Sequence, residues 1–468
     1  MSINSTLATW TGKSAYWFLH TFRGGGSSLP GKLALKLDPT ILKHLAKNYD
    51  VIVITGTNGK TLTTALTVKV LREQYPDILT NPSGSNMKQG IVTTFLRAPK
   101  AHQKPLAVLE VDEANVIMVT KYITPKAFVF TNIFRDQMDR YGEIYTTYQK
   151  ILDGVALAPE ATIIANGDLP LFNAKQLPNP ILYYGFDYQP DHDQQAPANT
   201  DGLLCPRCQH ILRYHSRTYS NMGKYYCPHC GFERPQLTYK LNALTAMTPT
   251  SSDFEINGQA MHLNIGGQYN IYNALAAYAV GRFMDVTPAK IAHALSDNDE
   301  QVFGRQETFH VGEKDVTLIL VKNPVGLNQV LQTISTDDRP FSFAALLNAN
   351  YADGIDTSWI WDGNFEKLPA LNIPAYISGG ERYRDITFRL KVAGVPEDQL
   401  TIIPDLTNMT TAIQKLPTKQ VYVVATYTAM LQLRKQLASQ GIIDGGWLNH
   451  DLYTTRRTPL RRSNEHVW

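Results

Sequence analysis

The sequence predicts an α/β protein with a larger central domain, a cysteine-rich insertion within it and a smaller C-terminal α/β domain. Short apolar runs such as Val51–Ile54 alternate with helical patterns along most of the chain, which is typical of a mostly parallel sheet covered by helices. All four cysteines fall between Cys205 and Cys230, and a chain of 468 residues is long for one domain. These observations indicate two folded domains and one small inserted unit.

The polar stretch Asp297–Gly304 separates the two domains in the sequence. Far upstream, Gly24–Pro30 is predicted to be a loop or linker that could also line a ligand site. Arg456–Arg462 contains four arginines and is predicted to be a disordered end, with contact to an anionic membrane surface as the alternative. We therefore predict an N-terminal segment over residues 1–46, a central domain over residues 47–298, a C-terminal domain over residues 299–455 and a basic tail over residues 456–468.

Residues 51–64, VIVITGTNGKTLTT, are the unit around which the central domain is organised. A strand buried on both faces leads into a glycine-rich turn and directly into a helical pattern, as in a P-loop ATPase. The lysine amine can reach the terminal phosphates of ATP, and the following hydroxyl can hold Mg²⁺. The loop is two residues shorter than the common GxxxxGK[ST] form, so an ordinary glycine-rich turn is the alternative. We predict that ATP is bound by Gly56, Thr57, Asn58, Gly59, Lys60 and Thr61.

The next predicted strand, Leu106–Val111, carries acidic residues at its carboxyl end, with Glu110 first among them. In a doubly wound sheet that end faces the ligand crevice, so Glu110 can complete the Mg²⁺ shell beside Thr61. A solvated turn is the alternative. Lys60 and Glu110 are accordingly the predicted catalytic residues of the ATP site.

Further strands alternate with helices on both sides of the proposed domain boundary, which supports two α/β domains. A hairpin is predicted around Asn257-Gly258, followed by a helix over Gly267–Met284. The strands predicted from apolar runs are Ala127–Thr131, Thr162–Ala165, Val316–Val321, Phe341–Leu347, Ala375–Ser378, Thr401–Ile403 and Val421–Ala425.

The insertion, predicted over residues 203–234, has the spacing of a zinc ribbon: two CxxC pairs separated by eighteen residues. Four thiolates close a tetrahedral shell and leave no position for water or substrate, so the site is predicted to be structural. A redox dithiol pair is one alternative. Arginines and tyrosines interleave in this segment, so a zinc-ribbon nucleic-acid-binding ATPase is another. The predicted Zn²⁺ ligands are Cys205, Cys208, Cys227 and Cys230.

Composition and charge narrow the functional classes. The net charge of +3 gives no overall indication of nucleic acid, and no nucleic-acid partner is expected. No stretch approaches the ~20 apolar residues that cross a bilayer, and the N-terminus does not have the pattern of a secretory signal. We expect a cytoplasmic protein.

Several motifs together resemble the central ATPase domain of the Mur ligase family. They are TGTNGKT, the strand-end Glu110, TNIFRDQMDRYGE, NGD and QYNIYNALAA. The C-terminal region, with Asn323-Pro324 and NANYADGIDTSWIWD, is similar to the MurT branch, the synthetase subunits of lipid II isoglutaminyl synthase. The resemblance extends from about Gly24 to Leu452.

The resemblance also assigns nucleotide contacts and exposes departures. It implies that Asn270 and Asn273 meet the adenine edge, with helix capping as the alternative, and that Arg305 lies near the nucleotide, with a solvated linker charge as the alternative. Gln137 and Tyr141 stand where amino-acid-adding Mur ligases have two histidines in DHxDxHG. Their DYAHNP motif is reduced here to residues 320–324, LVKNP, so the incoming nucleophile is expected to be smaller than an amino acid.

The activity that the resemblance implies is ATP-dependent amidation of the α-carboxyl of D-glutamate in the lipid II stem peptide, through an acyl phosphate. The nucleophile would be ammonia released by a separate glutaminase subunit of the GatD type. No cysteine lies outside the insertion, so this chain cannot supply a cysteine glutaminase nucleophile and needs that partner. A Mur or folylpolyglutamate-type ligase that adds an amino acid is the competing enzyme. Lipid II would place the protein at the membrane surface through its substrate.

One more site is implied in the C-terminal domain, on residues 348–362, which leave the carboxyl end of a predicted strand. The resemblance suggests that an aspartate here reaches across the interface and orients the catalytic histidine of the glutaminase. Asp356 is the first choice, Asp353 the second and Asp362 the third; a merely structural loop is the alternative.

Overall fold

The computed structural model describes residues 3–23, 28–81, 85–99, 105–136, 144–197, 200–297 and 306–443. The strands of the larger domain are β1 (Asp50–Thr55), β2 (Ile78–Thr80), β3 (Leu106–Glu110), β4 (Ala127–Phe130), β5 (Thr162–Asn166), β6 (Ile181–Phe186), β7 (Arg213–Arg217), β8 (Gly223–Tyr226), β9 (Tyr239–Met247), β10 (Ser252–Ile256) and β11 (Gln259–Leu263). Nine of them form one sheet in the order β11-β10-β9-β6-β5-β4-β1-β3-β2. The strands from β2 to β9 in that order pair in parallel, and β9, β10 and β11 pair antiparallel.

Strand β1 lies between β3 and β4, and its side chains are apolar on both faces, as expected for a parallel strand that is covered on both sides. Val51, Ile52, Val53 and Ile54 are each at most 1% exposed. Both neighbours run parallel to β1, so the carboxyl ends of the three strands meet at one edge of the sheet. The residues that follow them are thereby brought together.

Helices cover the sheet and connect its strands. The predicted helices after the phosphate loop and after the hairpin are both present. The helices of the larger domain are α1 (Ile3–Arg23), α2 (Leu29–Leu37), α3 (Ile41–Leu45), α4 (Lys60–Arg72), α5 (Lys88–Arg97), α6 (Val116–Thr120), α7 (Ile144–Val155), α8 (Gln268–Phe283) and α9 (Pro288–Ser296).

The N-terminal helices share one core with the central sheet. Ala8 of α1 and Ala34 of α2 are fully buried in that core. A Cβ on Gly31 would lie 1.9 Å from the carbonyl oxygen of Gln89, so α2 packs directly against α5. The segment predicted over residues 1–46 is therefore packed onto the larger domain as part of it.

The insertion forms its own small unit between β6 and β9. Strands β7 and β8 pair antiparallel. Leu212, Tyr214, Tyr225 and Phe232 are at most 1% exposed and pack with the cysteines. The backbone amide of Gly223 donates to the Asp168 carbonyl oxygen over 2.9 Å, which attaches the unit to the sheet domain.

The C-terminal domain has a six-stranded sheet in the order β12-β13-β17-β14-β15-β16. Consecutive residues of β14 pack into two different buried clusters, so both faces of the sheet are covered. The strands are β12 (Gln306–Val311), β13 (Lys314–Leu320), β14 (Phe341–Leu346), β15 (Tyr376–Gly379), β16 (Leu400–Ile403) and β17 (Gln420–Ala425). The helices are α10 (Pro324–Ile334), α11 (Tyr383–Val392), α12 (Met409–Gln414) and α13 (Tyr427–Ser439).

Every strand predicted from an apolar run is present, which confirms the α/β class for both domains. Strands β2, β6, β9 and β12 were not predicted, and neither were the two strands of the insertion, β7 and β8. Strand β9 mixes polar and apolar residues without a strict alternation and is buried at only one position, Leu241. Such a strand is stabilised mainly by its partners in the sheet, which the sequence does not display.

Candidate active site

The phosphate loop leaves β1 at the carboxyl edge of the sheet and enters α4 at Lys60. Gly56 has φ +131° and Gly59 has φ +82°, angles that favour glycine. A Cβ on Gly59 would lie 2.1 Å from Asn273 Oδ1, and one on Gly56 would lie 2.6 Å from the Asn132 carbonyl oxygen. Both positions therefore require glycine, as predicted for a loop that closely approaches its neighbours.

The first half of the loop is fixed by Asn132, which follows β4. The Thr57 amide donates to the Asn132 carbonyl oxygen over 2.8 Å, and the Asn58 amide donates to Asn132 Oδ1 over 2.9 Å. In return, Asn132 Nδ2 donates to the Asn58 carbonyl oxygen over 3.0 Å. The loop is thus held in shape before any ligand arrives, which lowers the entropic cost of binding one.

Lys60 is 6% exposed and sits inside the loop. Its Nζ donates to the Gly56 carbonyl oxygen and lies 3.1 Å from Glu113 Oε2. Burial by itself would lower the pKa of Lys60, but the carboxylates of Glu113, Asp112 and Glu110 outweigh burial and raise that pKa. Burial raises the pKa of Glu113 in spite of the adjacent ammonium. Lys60 is therefore a cation at neutral pH, poised beside the loop.

Glu110 ends β3 and is 4% exposed. Thr61 Oγ1 donates to Glu110 Oε2 over 2.9 Å, and Asn86 Nδ2 donates to Glu110 Oε1 over 2.9 Å. The side chain of Asn81 bonds both the amide and the carbonyl oxygen of Glu110 over 2.9 Å. A hydroxyl and a carboxylate are oxygen donors of the kind that Mg²⁺ prefers, so Thr61 and Glu110 fit the predicted Mg²⁺ site.

Asn270 and Asn273, near the start of α8, are 2% and 5% exposed. Asn270 Nδ2 donates to the Gly266 carbonyl oxygen over 2.7 Å, and Asn273 Oδ1 accepts from Thr63 Oγ1 over 3.1 Å. Both asparagines thus have a structural role. They also line a cavity beside Gly59 whose other walls include Leu62, Tyr219, Tyr269, Ile319, Val325 and Val330. A planar apolar ring with a polar edge, such as adenine, would fit between these walls. The contact of Asn270 and Asn273 with adenine remains a prediction.

The two domains meet at the phosphate loop. Asn323 caps α10 by accepting from the Gly326 amide over 2.8 Å. Its Nδ2 also donates to Asn58 Oδ1 over 2.9 Å, and Asn58 Nδ2 lies 3.3 Å from Asn323 Oδ1. Beside this pair, Lys322 forms an ion pair with Asp136. The interdomain contact therefore includes a residue of the loop itself.

A second set of interdomain contacts encloses a cavity of ≈ 450 Å³ between the inserted unit and both domains. Arg135 of the central domain pairs with Asp362 of the C-terminal domain at its rim. The lining is mostly polar and includes Arg217, Tyr219, Gln268, Gln329, Gln332 and Lys367. Its size is that of a small-molecule or peptide site.

Of the three aspartates predicted in residues 348–362, Asp362 pairs with Arg135, and the other two have different surroundings. Asp353 is 5% exposed, and its carboxylate accepts from the Thr428 amide over 2.7 Å, from Thr428 Oγ1 and from the Asn350 amide. Asp356 is exposed, and among the described residues its carboxylate accepts from Ser358 of its own turn, through the amide at 2.8 Å and the hydroxyl at 2.9 Å. Asp353 therefore closes the loop, whereas Asp356 presents a fixed carboxylate at the surface.

The four cysteine sulfurs form one cluster. All lie within 4.8 Å of one another, with Cys205 Sγ to Cys230 Sγ at 3.6 Å and Cys208 Sγ to Cys227 Sγ at 3.4 Å. Four thiolates around Zn²⁺ at 2.3 Å would have sulfur–sulfur distances of about 3.8 Å. The cluster therefore fits a closed tetrahedral Zn²⁺ site, and none of the four cysteines is in a disulfide.

Some predicted residues lie outside the described part of the chain: Arg305, Gln137, Tyr141 and the tail over residues 456–468. Their roles remain predictions. Among the described residues, no helix combines the length and the apolar character needed to cross a membrane.

The roles of Glu113, Asn132 and Asn323 were not predicted from the sequence. Glu113 belongs to the acidic group after β3, and that position was a usable signal for a Lys60 partner. Asn132 follows a strand next to β1, so the strand order would have placed it near the loop. The contact of Asn323 with Asn58 joins residues 265 apart in different domains, and no local pattern reveals it.

Two protein families match the chain. The Mur ligase middle domain matches residues 54–205, and the MurT ligase C-terminal domain matches residues 320–430. Both matches cover segments that contribute to the interdomain site.

Individual relatives and solved structures agree with these two family matches. The chain is 51% identical, over 95% of its length and 99% of the relative, to lipid II isoglutaminyl synthase (glutamine-hydrolyzing) subunit MurT of Streptococcus pneumoniae. It is 36% identical, over 79% of its length and 84% of the relative, to the subunit of the same name from Staphylococcus aureus strain COL. A pseudomurein peptide ligase type C from Methanothermus fervidus has a similar fold, with a TM-score of 0.63 and 20% identity over 86% of this chain and 80% of that one.

Proposed function

Because the chain belongs to the MurT family and contains the Mur ligase middle domain, we propose that it is the ATP-dependent synthetase subunit of a lipid II isoglutaminyl synthase. The reaction is amidation of the α-carboxyl of D-glutamate in the lipid II stem peptide, which gives D-isoglutamine. The observation that carries the proposal is the 51% identity to a subunit of that name over nearly the whole of both chains. The geometry around Lys60 and Glu110 supports the ATP-dependent half of the reaction.

In the first half-reaction the substrate carboxylate attacks the γ-phosphorus of ATP, which forms an acyl phosphate and releases ADP. We propose that the buried Lys60 ammonium, together with the loop amides that Asn132 does not occupy, neutralises the negative charge that builds up on the transferring phosphoryl group. Mg²⁺, when bound by Thr61 and Glu110, supplies further neutralisation of the phosphate oxygens. Lys60 is already cationic, so no proton transfer is needed before it pairs with a phosphate oxygen in place of one of its present partners.

In the second half-reaction ammonia attacks the acyl carbon, phosphate leaves with the bonding electron pair, and the nitrogen loses a proton. We infer that the ammonia comes from a glutaminase subunit whose catalytic histidine is oriented by Asp356. Asp356 is favoured over Asp353 by its exposure, and Ser358 fixes its carboxylate. Asp356 lines one cavity with Trp359, Lys322 and Asn323, as Asp353 and Asp362 also do. Asn323, which also lines this cavity, contacts Asn58 of the phosphate loop, and this supports a connection between the Asp356 surface and the ATP site.

The remaining assignments follow the same reasoning. We propose that Zn²⁺ is held by the four cysteines and stabilises the insertion, and that the stem peptide enters the ≈ 450 Å³ cavity. The use of cellular ATP and of lipid II would place the reaction on the cytoplasmic side of the membrane.

The test is the nitrogen source used by the chain without any partner. With ATP, Mg²⁺ and lipid II, ammonium should yield a product whose mass fits replacement of one hydroxyl by an amino group. Free amino acids should yield no ligated product. An amino-acid adduct in place of the amide would favour the amino-acid-adding ligase.

A further inference from the structure

Helix α1 turns its large apolar side chains away from the protein. Trp10 is 71% exposed, Trp17 is 63% exposed and Phe22 is 65% exposed. A surface helix of a globular domain normally buries this face. The exposed stripe of α1 consists of Ile3, Leu7, Trp10, Trp17, Phe18 and Phe22.

The opposite face of α1 is made of small residues and is fixed to the domain. Ser5 and Ala8 are fully buried, and Ser5 Oγ donates to Asp38 Oδ2 over 2.6 Å. A Cβ on Gly12 would lie 2.5 Å from Leu96 Cδ1, so α1 and α5 approach closely at this glycine. The outward direction of the aromatic residues therefore follows from how the helix is packed, because only the small face fits against α2 and α5.

The charge around this helix has one sign. Residues 1–48 contain six lysines and arginines and a single acidic residue, Asp38, although the whole chain carries a net charge of only +3. Asp38 is 7% exposed, and its carboxylate accepts hydrogen bonds from Ser5 and Thr40. The exposed basic residues are Lys13, Lys32, Lys36, Lys43 and Lys47.

We infer that α1 lies in the headgroup region of an anionic lipid bilayer, with its exposed stripe inserted and the neighbouring lysines on lipid phosphates. Tryptophan and phenylalanine on one face of a helix, with basic residues beside them, are characteristic of interfacial helices. Lysines near the surface add attraction to anionic lipids. Two copies of this chain joined through α1 would bring two basic surfaces together, which disfavours a dimer. The inference concerns docking and does not depend on the reaction proposed above.

Flotation of the full-length protein with vesicles tests the inference. Wild-type protein should float with phosphatidylcholine vesicles that contain phosphatidylglycerol. The floating fraction should fall as the salt concentration is raised, because salt screens the attraction between the lysines and the anionic lipid. The double variant Trp10→Ser/Trp17→Ser should bind the same vesicles at least about tenfold more weakly than wild type. Phe388→Ser, which removes a 60% exposed aromatic residue from α11, is the matched control and should bind like wild type.

A second variant covers the case in which the serine substitutions disturb folding. Lys13→Glu/Lys36→Glu keeps the apolar stripe and reverses two exposed charges. It should bind vesicles that contain phosphatidylglycerol more weakly than wild type does, and its binding to vesicles of phosphatidylcholine alone should be unchanged. The inference would be overturned if wild-type protein did not float with the vesicles, or if the Trp10→Ser/Trp17→Ser variant floated like wild type. So would a wild-type dimer that this variant converts to monomer. Amidation of a lipid-free soluble substrate should be equal in wild type and variants, so loss of docking and absence of the reaction are separate results.

Discussion

At the scale of single residues, Lys60 is the side chain on which we expect the proposed ATP chemistry to depend most. It is buried, paired with Glu113 and positioned by the loop, so Lys60→Ala removes a fixed cation that we propose neutralises the developing phosphoryl charge. Ammonium-driven turnover should fall by about 10³-fold or more. Lys69→Ala, a lysine of the same helix that bonds the Asp297 carbonyl oxygen, is the control and should retain activity. Near-normal turnover of the Lys60 variant, with unfolding curves unchanged, would contradict the role given to the loop.

Asp356 has a different predicted signature because it would act on the partner's chemistry. Asp356→Asn keeps an oxygen for the Ser358 turn but loses the negative charge. Glutamine-driven amidation should drop by about 100-fold or more, while ammonium-driven amidation should change little. Asp398→Asn, an exposed acid of the same domain, is the control. Equal loss with both nitrogen sources would place the loop in the synthetase site instead.

At the scale of structural elements, the insertion is predicted to depend on its metal. Each of the four cysteine sulfurs lies within 4.8 Å of the others, and its core of Leu212, Tyr214, Tyr225 and Phe232 is small. Cys208→Ser or a strong chelator should therefore lower the melting temperature and solubility more than it lowers initial turnover. His229→Ser, which changes a neighbouring ring that stacks on His210, should leave the zinc content at one ion per chain. A metal-free protein of unchanged stability would refute the structural role.

How far the sequence predicts an element depends on where that element gets its stability. Strand β1 and helix α4 were predicted because their apolar patterns and glycines act locally. The cysteine cluster was predicted because ligand spacing is itself the constraint. Strand β9 was not predicted because its stability comes from pairing with neighbouring strands, and its own sequence does not show a strand pattern. The outward aromatic face of α1 was missed because its direction depends on packing at Gly12, which no periodicity displays.

At the scale of the whole molecule, the Asn58–Asn323 pair joins the C-terminal domain to the phosphate loop. A double-mutant cycle with Asn58→Ala and Asn323→Ala should show a coupling of about 1 kcal/mol in the barrier for ammonium-driven turnover, because two hydrogen bonds join these side chains. The pairing of Asn58→Ala with the exposed Asn408→Ala should be additive. Additivity in both cycles would mean that the contact does not form during the reaction.

The most direct test of the central claim is the fate of the glutamine amide nitrogen in the assembled complex. The chain and the proposed glutaminase subunit would be incubated with lipid II, ATP, Mg²⁺ and glutamine labelled with ¹⁵N at the amide, and the product would be fragmented by mass spectrometry. The account predicts ¹⁵N in a new α-carboxamide of the D-glutamate residue, with ADP formed and no label in the absence of ATP. A product lengthened by a whole amino acid, or lipid II left unchanged while ATP is hydrolysed, would contradict it.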